Sequence, residues 1–172
     1  MKLVILNGPP GVGKSVVAGR LHEELTLSVL IDVDELRRTI PNYREQREES
    51  LRLAYERTAE EIGKALEGGH DVIIDKAISF SGTLDSFIEV AKRYGAAIHE
   101  FLLFADKETV RKRADNRGYR SGGLLTPERV DALWEDADVL RRQRPGIIVV
   151  DTSYSSVEEV FRAVKQMVMA GQ

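Results

Sequence analysis

The chain has 172 residues, 42% hydrophobic and 31% charged, with a formal net charge of −3. That length fits one domain with a sizeable core, and the slight acidity argues against a protein that coats duplex nucleic acid or anionic membrane, though not against a local basic pocket. No cysteine is present, so disulfides and thiolate metal sites are excluded, and His22, His70 and His99 are too far apart to read as a ligand set.

The first predicted element is a buried strand, "KLVILN", running into the loop "GPPGVGKS". The opening stretch has one lysine and only a short apolar run, which is not a secretory leader pattern. No apolar run in the chain approaches the roughly 20 residues of a membrane span, so the expected compartment is the cytoplasm with no membrane partner.

The loop Gly8-Pro9-Pro10-Gly11-Val12-Gly13-Lys14-Ser15 fits G-x-x-x-x-G-K-[ST]. Its glycines allow backbone conformations in which successive N–H groups face one site. The helix that starts near Lys14 and Val16 aims its positive dipole end at the same point. Lys14 adds a full charge at the outer phosphates, and the Ser15 hydroxyl is placed to ligate Mg²⁺. The expected ligand is ATP. A guanine-reading N-K-x-D motif is absent, and the D-x-x-G match at Asp115–Gly118 falls late in a basic helix, so a GTPase switch is not expected.

The second predicted strand, "SVLI", ends at "DVDELRR". There the chain reaches the ligand side of the sheet. Asp34 is expected to accept the proton of an attacking hydroxyl, with Asp32 as the alternative. Arg37, three residues after Asp34, would share its helix face and hold an anionic group or the transferring phosphoryl. The plain alternative is that Asp34 only caps the helix "ELRRTI".

A long helix follows, with an apolar stripe at Leu51, Tyr55, Ala59, Ile62 and Leu66, ending at "EGG". The stretch from Tyr43 to Leu66 is expected to line the acceptor pocket. The third strand, "DVII", ends at Asp75, which is expected to orient Mg²⁺ or contact the acceptor. Its alternative is a cap or an ion pair with adjacent Lys76.

The fourth strand, "AIHEFLLF", leads to Asp106 as an N-cap and to a basic helix with Arg113 and Arg117 at i, i+4. Arg111 and Arg120 are near. Residues 111–126 read as a short lid that closes over ATP, expels water and brings guanidinium groups to the phosphoryl oxygens. The alternative is that these arginines offset the helix dipole and stay solvated. Thr126-Pro127-Glu128 starts another helix, "GIIVV" is the fifth strand, and Val157, Val160, Phe161, Val164 and Val168 stripe the last helix, with a capping box expected at Ser155 and Glu158.

The alternation of strand and helix predicts a single α/β domain over residues 1–172, a five-stranded parallel sheet with helices on both faces, binding ligands beyond the C-terminal strand ends. On "GPPGVGKS", "DVDELRR", "VIID", "AKRYGAAIHEFLLF", "VRKRADNRG" and "VDTSYSSVEEV", the chain resembles the small P-loop kinases that include chloramphenicol phosphotransferase, gluconate kinase, zeta toxins and the kinase domain of polynucleotide kinases. The resemblance implies a three-layer P-loop NTPase fold with sheet order 2-3-1-4-5, and ATP with Mg²⁺. It implies Asp34 as general base, Arg37 as a reaction-centre arginine, Arg113 and Arg117 as lid arginines, and Thr152 and Ser153 beside the adenine. "DKAIS" departs from the D-T-N or D-G pattern of several relatives. The expected activity is transfer of the γ-phosphate to a hydroxyl of a small molecule. A nucleotide or nucleic-acid 5′-hydroxyl kinase is the alternative, and a nucleotide-binding regulator without transfer stands behind both.

Overall fold

The computed structural model describes residues 1–119 and 125–170. The strands are β1 (Lys2–Asn7), β2 (Ser28–Asp32), β3 (Asp71–Asp75), β4 (Ala97–Phe104) and β5 (Ile148–Asp151). They form one parallel sheet in the order β2-β3-β1-β4-β5. The predicted order is thus the observed one. The helices are α1 (Lys14–Glu24), α2 (Val33–Arg38), α3 (Arg47–Glu67), α4 (Ser81–Arg93), α5 (Lys107–Arg117), α6 (Pro127–Gln143) and α7 (Val157–Ala170).

The unbroken apolar runs follow from burial on both sheet faces. Successive side chains of β1 alternate between two cores. Leu3 and Ile5 join Ile62 and Leu66 of α3 and Leu84 and Phe87 of α4. Val4 and Leu6 join Val17 and Leu21 of α1 and Val160, Phe161 and Val164 of α7. Helix α6 serves both, with Val130 in the second core and Ala137 and Leu140 in the first. Each fully buried Leu, Ile or Phe contributes roughly 1.5–3 kcal/mol, and these central residues hold the C-terminal strand ends in place.

Three local expectations are corrected. Helix α3 starts at Arg47 rather than Tyr43; Ile62 and Leu66 are buried as expected, but in the earlier turns Ser50, Ala54 and Thr58 are the buried residues, with Tyr55 and Ala59 only partly buried against the core. Ser50 and Thr58 are tolerated inside because each hydroxyl is satisfied locally: Thr58 Oγ1 donates to the Ala54 carbonyl at 2.7 Å, and Ser50 Oγ lies 3.0 Å from the Tyr43 carbonyl. The α7 capping box is Ser156 with Glu159, not Ser155 with Glu158. The Ser156 N–H donates to Glu159 Oε2 at 2.8 Å, and the Glu159 N–H donates back to Ser156 Oγ at 3.3 Å. The caps expected at Asp106 and Thr126 are present, accepting from the N–H groups of Thr109 and Arg129. Among the described residues, no helix is long and apolar enough to cross a membrane.

Candidate active site

Asn7 ends β1 and is buried. Its Oδ1 accepts from the Gly8 N–H at 2.7 Å and the Ile78 N–H at 2.8 Å, while Nδ2 donates to the Ile78 carbonyl at 2.9 Å. The carboxamide therefore ties the phosphate loop to the segment after β3. Gly8 then turns at φ +140°, with no room for a side chain: a Cβ would stand 2.1 Å from the Leu103 carbonyl oxygen. Gly11 and Gly13 also have positive φ. Gly13 is the N-cap of α1 and supplies no side chain to cover the helix end. The first N–H groups of α1 are thus available to an anion.

Lys14 Nζ donates to the Pro9 carbonyl at 2.9 Å, inside the loop. Burial pushes its pKa down, opposed by the nearby Asp75 carboxylate. Asp75 closes β3 in register with Leu6 of β1 and Asp32 of β2. Burial pushes its pKa up, against the pull of Lys14 and a hydrogen bond with Ser15. Ser15 and Asp75 both line the cavity over the phosphate loop. Two hard oxygen donors there suit Mg²⁺, which takes few protein ligands and keeps water and phosphate oxygens for the rest. Among the described residues there is no group of three or more His, Asp or Glu arranged to hold a metal.

The acidic segment divides its labour. Asp32 is the cap of α2: its Oδ1 accepts from the N–H groups of Asp34 at 2.8 Å and Glu35 at 3.1 Å. That leaves Asp34 free of the capping role considered for it. Asp34 instead forms an ion pair with Lys76. Lys76 thus reaches away from its neighbour Asp75, and the adjacent pair considered for those two residues does not form. Tyr55 stands close enough for burial and the Asp34 charge together to push its hydroxyl up to about 12.

Arg37 is turned away from this centre. Its Nε donates to Ser50 Oγ at 3.0 Å and its Nη2 to the Arg47 carbonyl at 2.7 Å, so it anchors α2 to α3. Of the two adjacent arginines of α2, it is Arg38 that lines the cavity over Lys14. The physical reason is spacing: Asp34 and Arg38 are i, i+4 on α2, and packing against α3 takes Arg37.

Among the described residues, two cavities flank the phosphate loop. One, about 390 Å³, lies between Gly11–Gly13 and the turn leading into α7, and is lined by Arg113, Asn116, Thr152 and Val157 among others. The other, about 530 Å³, lies over Lys14 and Ser15 and receives Asp32, Asp34, Arg38, Asp75 and Lys76. Arg117 lines both. Arg113 lies beside the loop, where a Cβ on Gly11 would stand 3.0 Å from its own Cβ. Its guanidinium donates to the Thr152 carbonyl at 2.7 Å and to Thr152 Oγ1 at 3.3 Å. Ser153 Oγ accepts from the Asp106 N–H at 3.1 Å, joining the same turn to the start of α5. Arg111 points elsewhere, to Asp131 at 2.6 Å. Arg120, and the part of the expected lid over residues 120–124, lie outside the described residues.

Of the site residues picked from sequence, Pro10–Ser15, Asp34, Asp75, Arg113, Arg117 and Thr152 line the two cavities, and Gly8, Pro9, Val16, Ser153 and Arg37 do not. Asn7 and Tyr119 were missed, Lys76 was considered only as a partner of Asp75, and Arg38 only as part of a local phosphate site beside Arg37, Arg44 and Arg47. Arg38 was legible from its i, i+4 spacing to Asp34. Tyr119 holds φ +49° and lines the second cavity beside Leu125, a conformation no sequence pattern announces.

Comparison with known proteins places the chain. Residues 3–137 match the family described as AAA domain. The chain belongs to that family. No curated protein matches. Among solved structures, a gluconokinase from Sinorhizobium meliloti 1021 aligns with TM-score 0.71 and 16% identity over 99% of this chain and 98% of that one. The tunicamycin resistance protein of Deinococcus radiodurans aligns with TM-score 0.64 and 18% identity, over 98% and 96%. Thymidylate kinase from Candida albicans gives 0.68 and 14%, over 99% and 92%. The chain therefore has the fold of the small P-loop kinases that its sequence resembles, over its whole described length.

Proposed function

We propose that the protein is an ATP-dependent phosphotransferase that moves the γ-phosphate to a hydroxyl of a small molecule, with Asp34 as the general base. One observation carries this reading: the two cavities share Arg117 and the phosphate loop, and the second one faces Lys14 with Asp34. A binding module needs only the first cavity. A transferase needs both, meeting at the transferring group.

The first cavity takes the nucleoside, with Thr152 and Ser153 beside the base and Arg113 and Val16 at the margins of the phosphate loop. The loop N–H groups and Lys14 take the β- and γ-phosphates. Mg²⁺, held at Ser15 and Asp75, would draw charge from the phosphate oxygens. In the second cavity the acceptor oxygen bonds to the γ-phosphorus as the bond to the β,γ-bridging oxygen breaks. The hydroxyl proton passes to the Asp34 carboxylate, and ADP leaves. Arg117, placed between the cavities, meets the charge spread over the phosphoryl oxygens. The fold is shared with kinases of several acceptors, which agrees with the class of reaction and leaves the acceptor to the second cavity.

The test is transfer from [γ-³²P]ATP over a panel of sugars, sugar acids, nucleosides, antibiotics and 5′-hydroxyl oligonucleotides. A labelled small molecule that disappears with Asp34→Asn supports the reading. Labelling of the oligonucleotide alone would move the assignment to a 5′-end kinase. ATP-dependent binding with no labelled product would make the protein a regulator.

A further inference from the structure

Beyond Lys14 and Arg117, the second cavity is lined by two further cations, Arg38 and Lys76. Among the described residues its ionised side chains are Lys14, Arg38, Lys76 and Arg117 against Asp32, Asp34 and Asp75. Lys14 and Arg117 stand at the phosphate loop, on the donor side. Arg38 and Lys76 belong to the elements around Asp34: Arg38 lies one turn along α2, and Lys76, just after β3, is ion-paired to Asp34 Oδ1. No hydrogen bond or ion pair engages the Arg38 guanidinium among the described residues, whereas neighbouring Arg37 makes two hydrogen bonds. The Lys76 side chain is only 12% exposed, and of its three N–H donors Asp34 takes one.

A row of cation, carboxylate and cation reads as a receptor for a group of the opposite pattern. We propose that the acceptor carries a carboxylate or phosphate close to the hydroxyl that is phosphorylated, and that Arg38 and Lys76 bind that anion while Asp34 takes the hydroxyl. This rests on the phosphotransfer reading and narrows its substrate class to hydroxy acids and phosphorylated polyols or nucleosides. The chemistry is economical. A buried lysine facing a carboxylate is satisfied without substrate, and a second anion on its free N–H groups completes its coordination. An uncharged alcohol would leave Arg38 unpaired and gain nothing from it. A planar fork at Arg38 suits either anion bidentately.

The experiment compares matched pairs that differ in the anion: glycerate with glycerol, gluconate with sorbitol, glucose 6-phosphate with glucose, and a nucleoside 3′-monophosphate with its nucleoside. Binding is read by calorimetry on the full chain loaded with Mg²⁺ and a non-hydrolysable ATP analogue, and transfer is read with [γ-³²P]ATP. At least one anionic member is expected to bind and react tenfold or more better than its neutral partner. Arg38→Met is expected to bring the two members of that pair together, and Arg38→Lys to retain part of the preference. Carboxylate and phosphate pairs separate the two sources of anion. Neutral members binding as well as anionic ones, no anionic member binding, or Arg38→Met weakening both members equally would each overturn the proposal. Failure of the ATP analogue itself to bind would instead overturn the phosphotransfer reading beneath it. Circular dichroism on each variant separates loss of fold from loss of the preference.

Discussion

Arg113 Nη2 donates a hydrogen bond to the Thr152 backbone carbonyl at 2.7 Å, across 39 residues of sequence. The bond fixes helix α5 against the turn that enters α7, beside the first cavity. Arg117, one turn further along the same helix, reaches both cavities. The two arginines are therefore expected to fail differently. Arg113→Ala raises the KM for ATP about tenfold, in keeping with a charged hydrogen bond worth roughly 1.5–3 kcal/mol, and changes kcat less. Arg117→Ala lowers kcat by about 10²–10³ with a smaller effect on KM, as for loss of one transition-state donor. Steady-state kinetics at saturating acceptor measures the split, and equal effects of the two substitutions would count against it.

Lys14 is expected to be indispensable to turnover and not to folding. Lys14→Ala removes a buried cation whose pKa is already pushed down by burial. ATP turnover should fall by at least about 10², while the thermal melt is retained. Turnover at the wild-type level would refute the assignment of the phosphate loop.

Asp34→Asn keeps the shape of the side chain and removes its basicity. Transfer is expected to fall by about 10²–10⁴, with ATP affinity within a small factor of wild type by equilibrium titration. Asp32→Asn is the control. Because Asp32 caps α2 through its Oδ1, its loss should appear in stability first. If Asp34→Asn still transfers phosphate well, Asp32 becomes the base.

Gly8→Ala tests how the loop is seated. At φ +140°, with the Leu103 carbonyl 2.1 Å from the position of a Cβ, any side chain forces the backbone to move. A loss of more than about 1–3 kcal/mol is expected from urea melts, given backbone strain of that size before the steric term. Gly69→Ala, also at positive φ but with open space around it, should cost less.

Asp106 offers a pH prediction. The Thr109 backbone N–H and hydroxyl hold its carboxyl below the usual carboxylate range. A group whose pKa is lowered on folding binds fewer protons in the native state, so its stabilisation is present above the unfolded-state pKa and is lost as pH falls through the native one. Asp106→Ala should thus lower the melting temperature at pH 7, and the difference from wild type should close as the pH is taken down toward 2. A gap that stays constant across that range would mean the cap works through shape rather than charge.

Much of this molecule was legible before any coordinates. Strands such as Leu3–Leu6 and Val72–Ile74 are apolar on both sides because both sides are covered, so their runs are continuous and hard to misread. "GPPGVGKS" is equally plain, since its glycines are demanded by backbone angles. Errors arose where two positions satisfy one periodicity. Residues i+3 and i+4 share a helix face, and only the packing of α2 on α3 decides that Arg37 goes to Ser50 and Arg38 to the cavity. The same one-residue ambiguity moved the α7 capping box and the first turns of the α3 stripe. Ser50 and Thr58 hid the true stripe because their hydroxyls are satisfied within the helix or its entry, which hydropathy does not record. The Lys76–Asp34 pair joins residues 42 apart, beyond the reach of any local pattern.

The Asn7 carboxamide grips both the N–H and the carbonyl of Ile78 while also receiving the Gly8 N–H. It spends donor and acceptor at once, a combination neither aspartate nor leucine can reproduce. The floor under the donor phosphates and the start of the chain beyond Asp75 are thereby one casting. Position 7 therefore couples any shift of the phosphate loop to the segment that brings Lys76 and Ala77 to the second cavity.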